Sequence, residues 1–234
     1  MQEKELHSSC AKCEKRVCYP VIKNNAEPDM REAPPFCPMK LKAQEIKKAA
    51  STYKEDAAVR EFARLASLQE AECYEQTSQG LRTRNTRVEE IIQFAHKMNY
   101  SRLGVVFCIG LKNEARILDK MLEIHGFEVV SVCCKAGAVA KESLGIKPEQ
   151  KIHGPENYES MCNPIAQAEI INSEKVDLAI LLGLCVGHDS LFIKYCQVPI
   201  TVLAAKDRVL GHNPLAALYL SSGYYSRLMH KPER

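Results

Sequence analysis

The sequence predicts an α/β fold: a Rossmann-like parallel sheet with helices on both faces, preceded by a cysteine-rich N-terminal metal-binding segment and a helical region. Three observations predict it. The run Val176–Leu182 is almost wholly apolar, as a strand covered on both faces requires, and it stops at the turn Gly183-Leu-Cys185-Val-Gly187-His188-Asp189. From Leu103 to Ala204 short apolar runs alternate with helical periodicities, the pattern of successive β-α-β units with right-handed crossovers. Ahead of these stands a C-x2-C-x4-C-x18-C array, Cys10, Cys13, Cys18 and Cys37, in a stretch that also holds Pro20, Pro28, Pro34, Pro35 and Pro38.

Three regions follow: residues 1–38, the cysteine-rich segment; 39–100, a helical region expected to pack on the core; and 101–234, the α/β domain. Segment 1–38 has too few large aliphatic side chains to build a core, so four thiolates around one ion would supply the missing crosslink. From Met39 to about Gln79 the reading is helical, with one apolar stripe through Leu41, Ile46, Ala49, Ala50 and Tyr53. A second stripe runs through Val59, Phe62, Ala66, Leu68 and Cys73. Gly80 to Asn85 ends the helical stretch. Thr86-Arg-Val-Glu89 then has capping-box form ahead of Val88, Ile91, Ile92, Ala95 and Met98.

Within the α/β domain the expected elements are a strand Leu103–Ile109, a helix from Asn113 to His125 ended by Gly126, and a valine-rich strand Phe127–Cys133. Next come a helix Pro164–Ser173, the strand Val176–Leu182, a short helix Ser190–Cys196, the strand Ile200–Ala204 and a last helix starting at Pro214. The spacing of Gly104 and Gly110 does not match G-x-G-x-x-G and gives no support to dinucleotide binding.

A formal charge of +3 and a pI near 8.2 are too mild for a nucleic-acid surface, and Arg82-Thr-Arg84-Asn-Thr-Arg87 reads as a solvated loop. No apolar stretch reaches membrane-spanning length, and the start Met1-Gln-Glu-Lys-Glu-Leu-His lacks the apolar region of a signal peptide. The expected compartment is the cytosol, where eleven cysteines point to metal binding or redox chemistry in place of disulfides.

The remaining cysteines fall at strand ends. Cys108 ends the first strand, Cys133 and Cys134 the second, and Cys185 follows the third, while Cys162 precedes the helix leading into that third strand. In the common strand order 2-1-3-4 these positions converge on one crevice at the switch point, where open α/β sheets bind ligands. Adjacent Cys133 and Cys134 point to opposite faces, and Cys134, followed by Lys135, is the one expected in the crevice. Cys162-Asn163-Pro164, His188-Asp189-Ser190 and His212-Asn213-Pro214 each place a Cys or His ahead of a capping residue, at a positive helix end that favours thiolate or an anion. The candidate cofactor ligands are therefore Cys108, Cys134, Cys162 and Cys185, and the candidate catalytic residues Cys162, Cys185, His188 and His212. Cys73 and Cys196 read as small core residues.

At Cys10-Ala-Lys-Cys13, Pro35-Phe-Cys37-Pro-Met39, Cys162-Asn-Pro164-Ile-Ala-Gln-Ala, Gly183-Leu-Cys185-Val-Gly-His188-Asp and Asp207-Arg-Val-Leu-Gly-His212-Asn-Pro214, the sequence resembles the family catalogued as domain of unknown function 1847. The resemblance covers nearly the whole chain and implies metal binding, with no metal or reaction specified. A second likeness is to the cysteine-rich domains of heterodisulfide reductases, where a paired cysteine lies between single ones around an iron-sulfur cluster. Here Lys135 replaces the glycine after the pair, and the terminal C-x2-C is missing.

Together these readings predict a metal-binding protein whose N-terminal four-cysteine site holds zinc, or else an iron-sulfur cluster. A second cysteine-ligated iron-sulfur or metal site is expected at the strand ends, with redox or sulfur chemistry on a small molecule and an electron-transfer partner. The alternative is a zinc-stabilised, non-catalytic module that binds a small anionic metabolite at helix N-termini, with Lys135 and Lys206 at the same edge.

Overall fold

The computed structural model describes residues 6–19 and 29–232; Pro20, Pro28 and the first five residues lie outside them. The chain divides into two compact units, Met1–Ser67 and Leu68–Arg234.

In the first unit a 3-10 turn at Cys10–Lys12 follows Ser9, and another at Met30–Glu32 is capped by the Asp29 carboxylate, which accepts from the Arg31 amide. Helix α1, Pro38–Leu41, starts at a proline and takes Cys37 as its N-cap; α2, Ala43–Glu55, follows. Among the described residues of this unit only Ala33 and Cys37 are buried, and α2 buries none. The expected stripe is therefore exposed at Ile46 and Tyr53. Helical periodicity here records an amphipathic surface without a core beneath it.

Helix α3 spans Ala57–Glu72 and crosses the boundary between the units. The helix expected to reach Gln79 stops earlier, because residues 74–83 form a hairpin of strands β1, Tyr74–Thr77, and β2, Gly80–Thr83. Gly80, at φ +111°, supplies the turn, and the Thr77 hydroxyl donates to the Gly80 carbonyl at 2.7 Å. Arg82, expected in a solvated loop, pairs across the hairpin with Glu75. Helix α4, Arg87–Lys97, then starts at the anticipated capping box, with the Thr86 side chain accepting from the Glu89 amide.

The second unit is built on β3, Arg102–Phe107, α5, Lys112–Ile124, β4, Glu128–Cys133, α6, Pro164–Ser173, β5, Leu178–Leu182, α7, His188–Tyr195, β6, Ile200–Ala204, and the short α8, Leu215–Tyr219. The four strands from β3 to β6 form one parallel sheet in the order β4-β3-β5-β6, the expected 2-1-3-4 arrangement. All five residues of β5 are buried, as its unbroken apolar run requires.

Alternation along β3 and β5 sends side chains to two separate cores. Leu103, Val105, Phe107, Leu178, Ile180 and Leu182 meet α4 and α5 through Ile91, Ile92, Ala95, Leu118 and Leu122. Val106, Ala179 and Leu181 meet α6 and α7 through Ala168, Ile171 and Phe192. Gly104 allows α6 to close on β3, since a Cβ there would lie 2.7 Å from Ile171 Cδ1. Each fully buried aliphatic side chain contributes about 1.5–3 kcal/mol, so β5 is the thermodynamic centre of this unit. Among the described residues no helix is long and apolar enough to cross a membrane.

Candidate thiolate sites

The four N-terminal cysteines line one pocket. Cys10, Cys13, Cys18 and Cys37 surround a cavity of about 290 Å³ together with Val17, Tyr19, Phe36 and Met39. The turn Cys10–Lys12 brings the Cys13 amide onto the Cys10 carbonyl at 3.0 Å, so the first two thiols leave the backbone from one turn. Ser9 donates to the Phe36 carbonyl at 3.4 Å and ties that turn to the chain just before Cys37. Four soft thiols thus share one largely apolar pocket, in a segment with two buried residues. All eleven cysteines are free thiols, and among the described residues no group of three or more His, Cys, Asp or Glu is placed so that it could hold a metal ion.

The second set gathers at the carboxyl ends of β3, β4 and β5. Cys108 follows β3 and is buried; its amide donates to the Leu182 carbonyl of β5 at 3.3 Å. Cys134 follows β4, is 1% exposed, and accepts from the Ile109 amide at 3.4 Å through its sulfur. Cys133, by contrast, accepts from the Lys135 amide and packs among the core side chains. Cys162 reaches the same place at the end of a long return loop. The Asn163 amide donates to the Cys134 carbonyl at 2.7 Å, and the Asn163 side chain caps α6 by accepting from the Ala166 amide at 3.1 Å. Cys185, in the turn after β5, receives the Arg208 Nη2 proton at 3.0 Å.

These groups act on one another electrically. The Cys134 thiol donates a hydrogen bond to Cys162 and holds the Cys162 thiol down to about 5; burial opposes this, and Lys135 and His188 reinforce it. Cys134 is pushed far up by the same hydrogen bond and then by burial. The pair thus keeps one proton and releases the other early. Arg208 is raised by its contact with Cys185 and lies in electrostatic range of Cys108 and Cys162. His188 is also in range of Cys162, and its Nδ1 is buried with no hydrogen-bond partner.

Two of the three helix starts differ from expectation. His188 is the first residue of α7, capped by Gly187 at φ +84°, so it stands inside the helix where it was expected before the cap. His212 lies at φ +65°, and its Nδ1 accepts from the Asp207 amide at 3.1 Å. That bond closes the turn after β6, and α8 starts only at Leu215. Cys73 is buried beside Glu90 and the Gln69 carbonyl, and Cys196 is half-buried at the end of α7.

Two residues of the candidate site had no place in the sequence reading. Arg208 carried no signal beyond its place in Asp207-Arg-Val-Leu-Gly-His212. Gln167, fully buried in α6, donates through Nε2 to the Val132 carbonyl at 2.7 Å and the Phe107 carbonyl at 3.3 Å. It thereby fixes the two strand ends that carry Cys108 and Cys134. A glutamine on an otherwise apolar helix face was the available clue.

Comparison with known proteins gives two findings. The family described as protein of unknown function (DUF1847) matches residues 37–203. An uncharacterized protein of Methanocaldococcus jannaschii is 52% identical over 136 residues, which are 58% of this chain and 68% of the relative.

Proposed function

Because the chain belongs to the DUF1847 family, whose description assigns no activity, we propose its function from its own residues: a cytosolic protein with two thiolate sites. The N-terminal site, Cys10, Cys13, Cys18 and Cys37, holds a structural metal ion, for which zinc suits four thiolates best. The strand-end site carries out redox or sulfur chemistry on a small molecule. The observation that supports this second role is that Cys162 packs in the same cluster as Cys134, held there by the Asn163 amide on the Cys134 carbonyl at 2.7 Å, with its thiol lowered chiefly by the Cys134 hydrogen bond. Such a pair has a nucleophile and a resolving partner in contact, at the carboxyl ends of a Rossmann-like sheet where ligands bind.

A second reading places an iron-sulfur cluster on Cys108, Cys134, Cys162 and Cys185. What supports it is that Cys108, Cys134 and Cys162 pack in one cluster while Arg208, held on Cys185, lies within electrostatic range of Cys108 and Cys162. An electron-transfer partner belongs to this reading.

Anaerobic isolation followed by metal and acid-labile sulfide analysis, with alkylation of the Cys162 peptide, separates the two. Colourless protein with one zinc and a fast-reacting Cys162 supports the dithiol centre. Brown protein with stoichiometric iron and sulfide, lost in Cys185→Ser, supports the cluster. Metal-free protein whose Cys162 reacts no faster than an ordinary thiol removes both.

A further inference from the structure

We propose that Lys206, Arg208 and Lys135 form an anion seat at the strand-end crevice, so that the substrate presented to Cys162 is a small disulfide bearing an anionic group. This rests on the dithiol reading above and adds the class of substrate. The three cations stand on the loops that follow β4 and β6, at the same ends as the thiols. A Cβ placed on Gly110 would lie 3.0 Å from Lys206 Nζ and 3.9 Å from Cys108 Sγ, so the absence of a side chain at Gly110 leaves room for the ammonium beside that thiol. Arg208 reaches Cys185 at 3.0 Å, and Lys135 Nζ donates to the Ser160 carbonyl at 2.6 Å within electrostatic range of Cys162.

What marks these cations is their place beside the thiols without a carboxylate to neutralise them. Some basic side chains of the second unit do pair with acids, as in Arg87 with Glu90, Lys97 with Glu72, Arg102 with Glu128 and Lys151 with Glu142. Among the described residues none of Lys135, Lys206 and Arg208 makes an ion pair with a carboxylate. Asp207, between Lys206 and Arg208, is turned to the backbone, its Oδ1 accepting from the Val209 and Leu210 amides, and so is Asp189 at the start of α7, its Oδ1 accepting from the Ser190 amide. The starts of α6 and α8 do not serve as the seat, since the Asn163 side chain already caps α6 and α8 has five residues. His188 Nδ1, buried and unpartnered at the same crevice, is a further polar atom that a ligand would satisfy. Clustered cations of this kind raise the local concentration of an anion and fix its orientation, Arg through its planar fork.

With an anionic disulfide seated there, the Cys162 thiolate attacks one substrate sulfur, the S–S bond breaks, and the first substrate thiolate leaves. Cys134 then gives its proton to that thiolate and attacks the Cys162 sulfur. The second substrate thiolate leaves, and a Cys134 to Cys162 disulfide remains. Two electrons pass from the protein to the substrate disulfide, and a dithiol reductant returns the pair to its starting state.

The test uses two probes on the full chain: dithiobis(nitrobenzoate), a disulfide with two carboxylates, and dithiodipyridine, a disulfide with none. The fast phase assigned to Cys162 is the one lost in Cys162→Ser. In Lys206→Met/Arg208→Met the ratio of the fast-phase rate constants, carboxylate probe over neutral probe, should fall about tenfold. The wild-type protein gives an independent reading, because added salt should slow the carboxylate probe at a cationic seat, whereas salt speeds the meeting of a lone thiolate with an anion. A ratio that does not move, or a carboxylate reaction that salt accelerates, overturns the anion seat and leaves the dithiol reading standing. If Cys162→Ser removes no fast phase present in the wild type, both are overturned.

Discussion

Removing the Cys134 thiol should raise the pH at which Cys162 becomes reactive. In the folded protein Cys162 is held at about 5, against 9.0 for an unperturbed thiol, and the largest cause is the hydrogen bond from Cys134. At pH 6 such a group is about nine-tenths thiolate, where an ordinary thiol is about one part in a thousand. A less basic thiolate is also a weaker nucleophile, and a Brønsted slope of about 0.4–0.5 over this range returns a factor of about 40 to 100. The net advantage of Cys162 at pH 6 is therefore about ten- to twentyfold. Iodoacetamide labelling between pH 4 and 9, quantified on the Cys162 peptide by mass spectrometry, measures it. Wild-type labelling should rise with a midpoint near about 5. In Cys134→Ala, with Lys135 and His188 still in place, the midpoint should move to between about 6 and 9. Lys135→Met should raise it less, because that electrostatic effect ranks behind both the hydrogen bond and burial. A wild-type midpoint near that of a free thiol, or a Cys134→Ala midpoint that stays where it was, refutes the paired thiol and thiolate.

Three further outcomes are expected. Cys13→Ser should release the N-terminal ion and lower the melting temperature of the first unit, while the Cys162 labelling profile stays unchanged; metal analysis and calorimetry check it, and retained zinc would remove Cys13 from the ligand set. Gly183→Ala should cost about 2–4 kcal/mol in urea unfolding, since Gly183 has φ +66° and a Cβ there would overlap Leu111 Cδ1. A loss below about 1 kcal/mol would mean that the turn after β5 relaxes freely. Gln167→Met should destabilise by about 1–3 kcal/mol by leaving the Val132 carbonyl without the 2.7 Å bond it now receives, and unchanged urea stability would show that another donor replaces it.

Where burial alone decides, the sequence was enough. β5 could be read because a strand covered on both faces has no polar alternation, and the common 2-1-3-4 order, taken as a premise, is the order found. The hairpin at 74–83 escaped because Glu72, Glu75 and Gln76 continue a helical composition past the real end of α3. Only Gly80 at a left-handed φ marks the turn. The stripe of α2 shows the limit of periodicity, which tells which side chains share a face and says nothing about whether that face is covered.

The strand-end site shows the same division between rule and particular. That Cys108, Cys134 and Cys185 would stand at one edge follows from topology. That Cys162 would touch Cys134 does not, because 27 residues separate them and no periodicity describes their path. The path is set by contacts inside the loop. The bridge of Ala140 to Ser160, the ion pair of Lys141 with Glu159 and the Tyr158 hydroxyl on the Ala138 carbonyl fold the segment back on itself. The Asn163 amide then meets the Cys134 carbonyl and delivers Cys162 to its partner. Glu159 is at the centre of this return: besides Lys141 it accepts from the Ile152 amide at 2.8 Å, and its carboxyl is held below the usual range chiefly by that lysine. Loop residues that touch neither sulfur therefore set whether the two thiols meet, so on the dithiol reading proposed above the reactivity of Cys162 would depend on the order of this loop as well as on the groups around its sulfur.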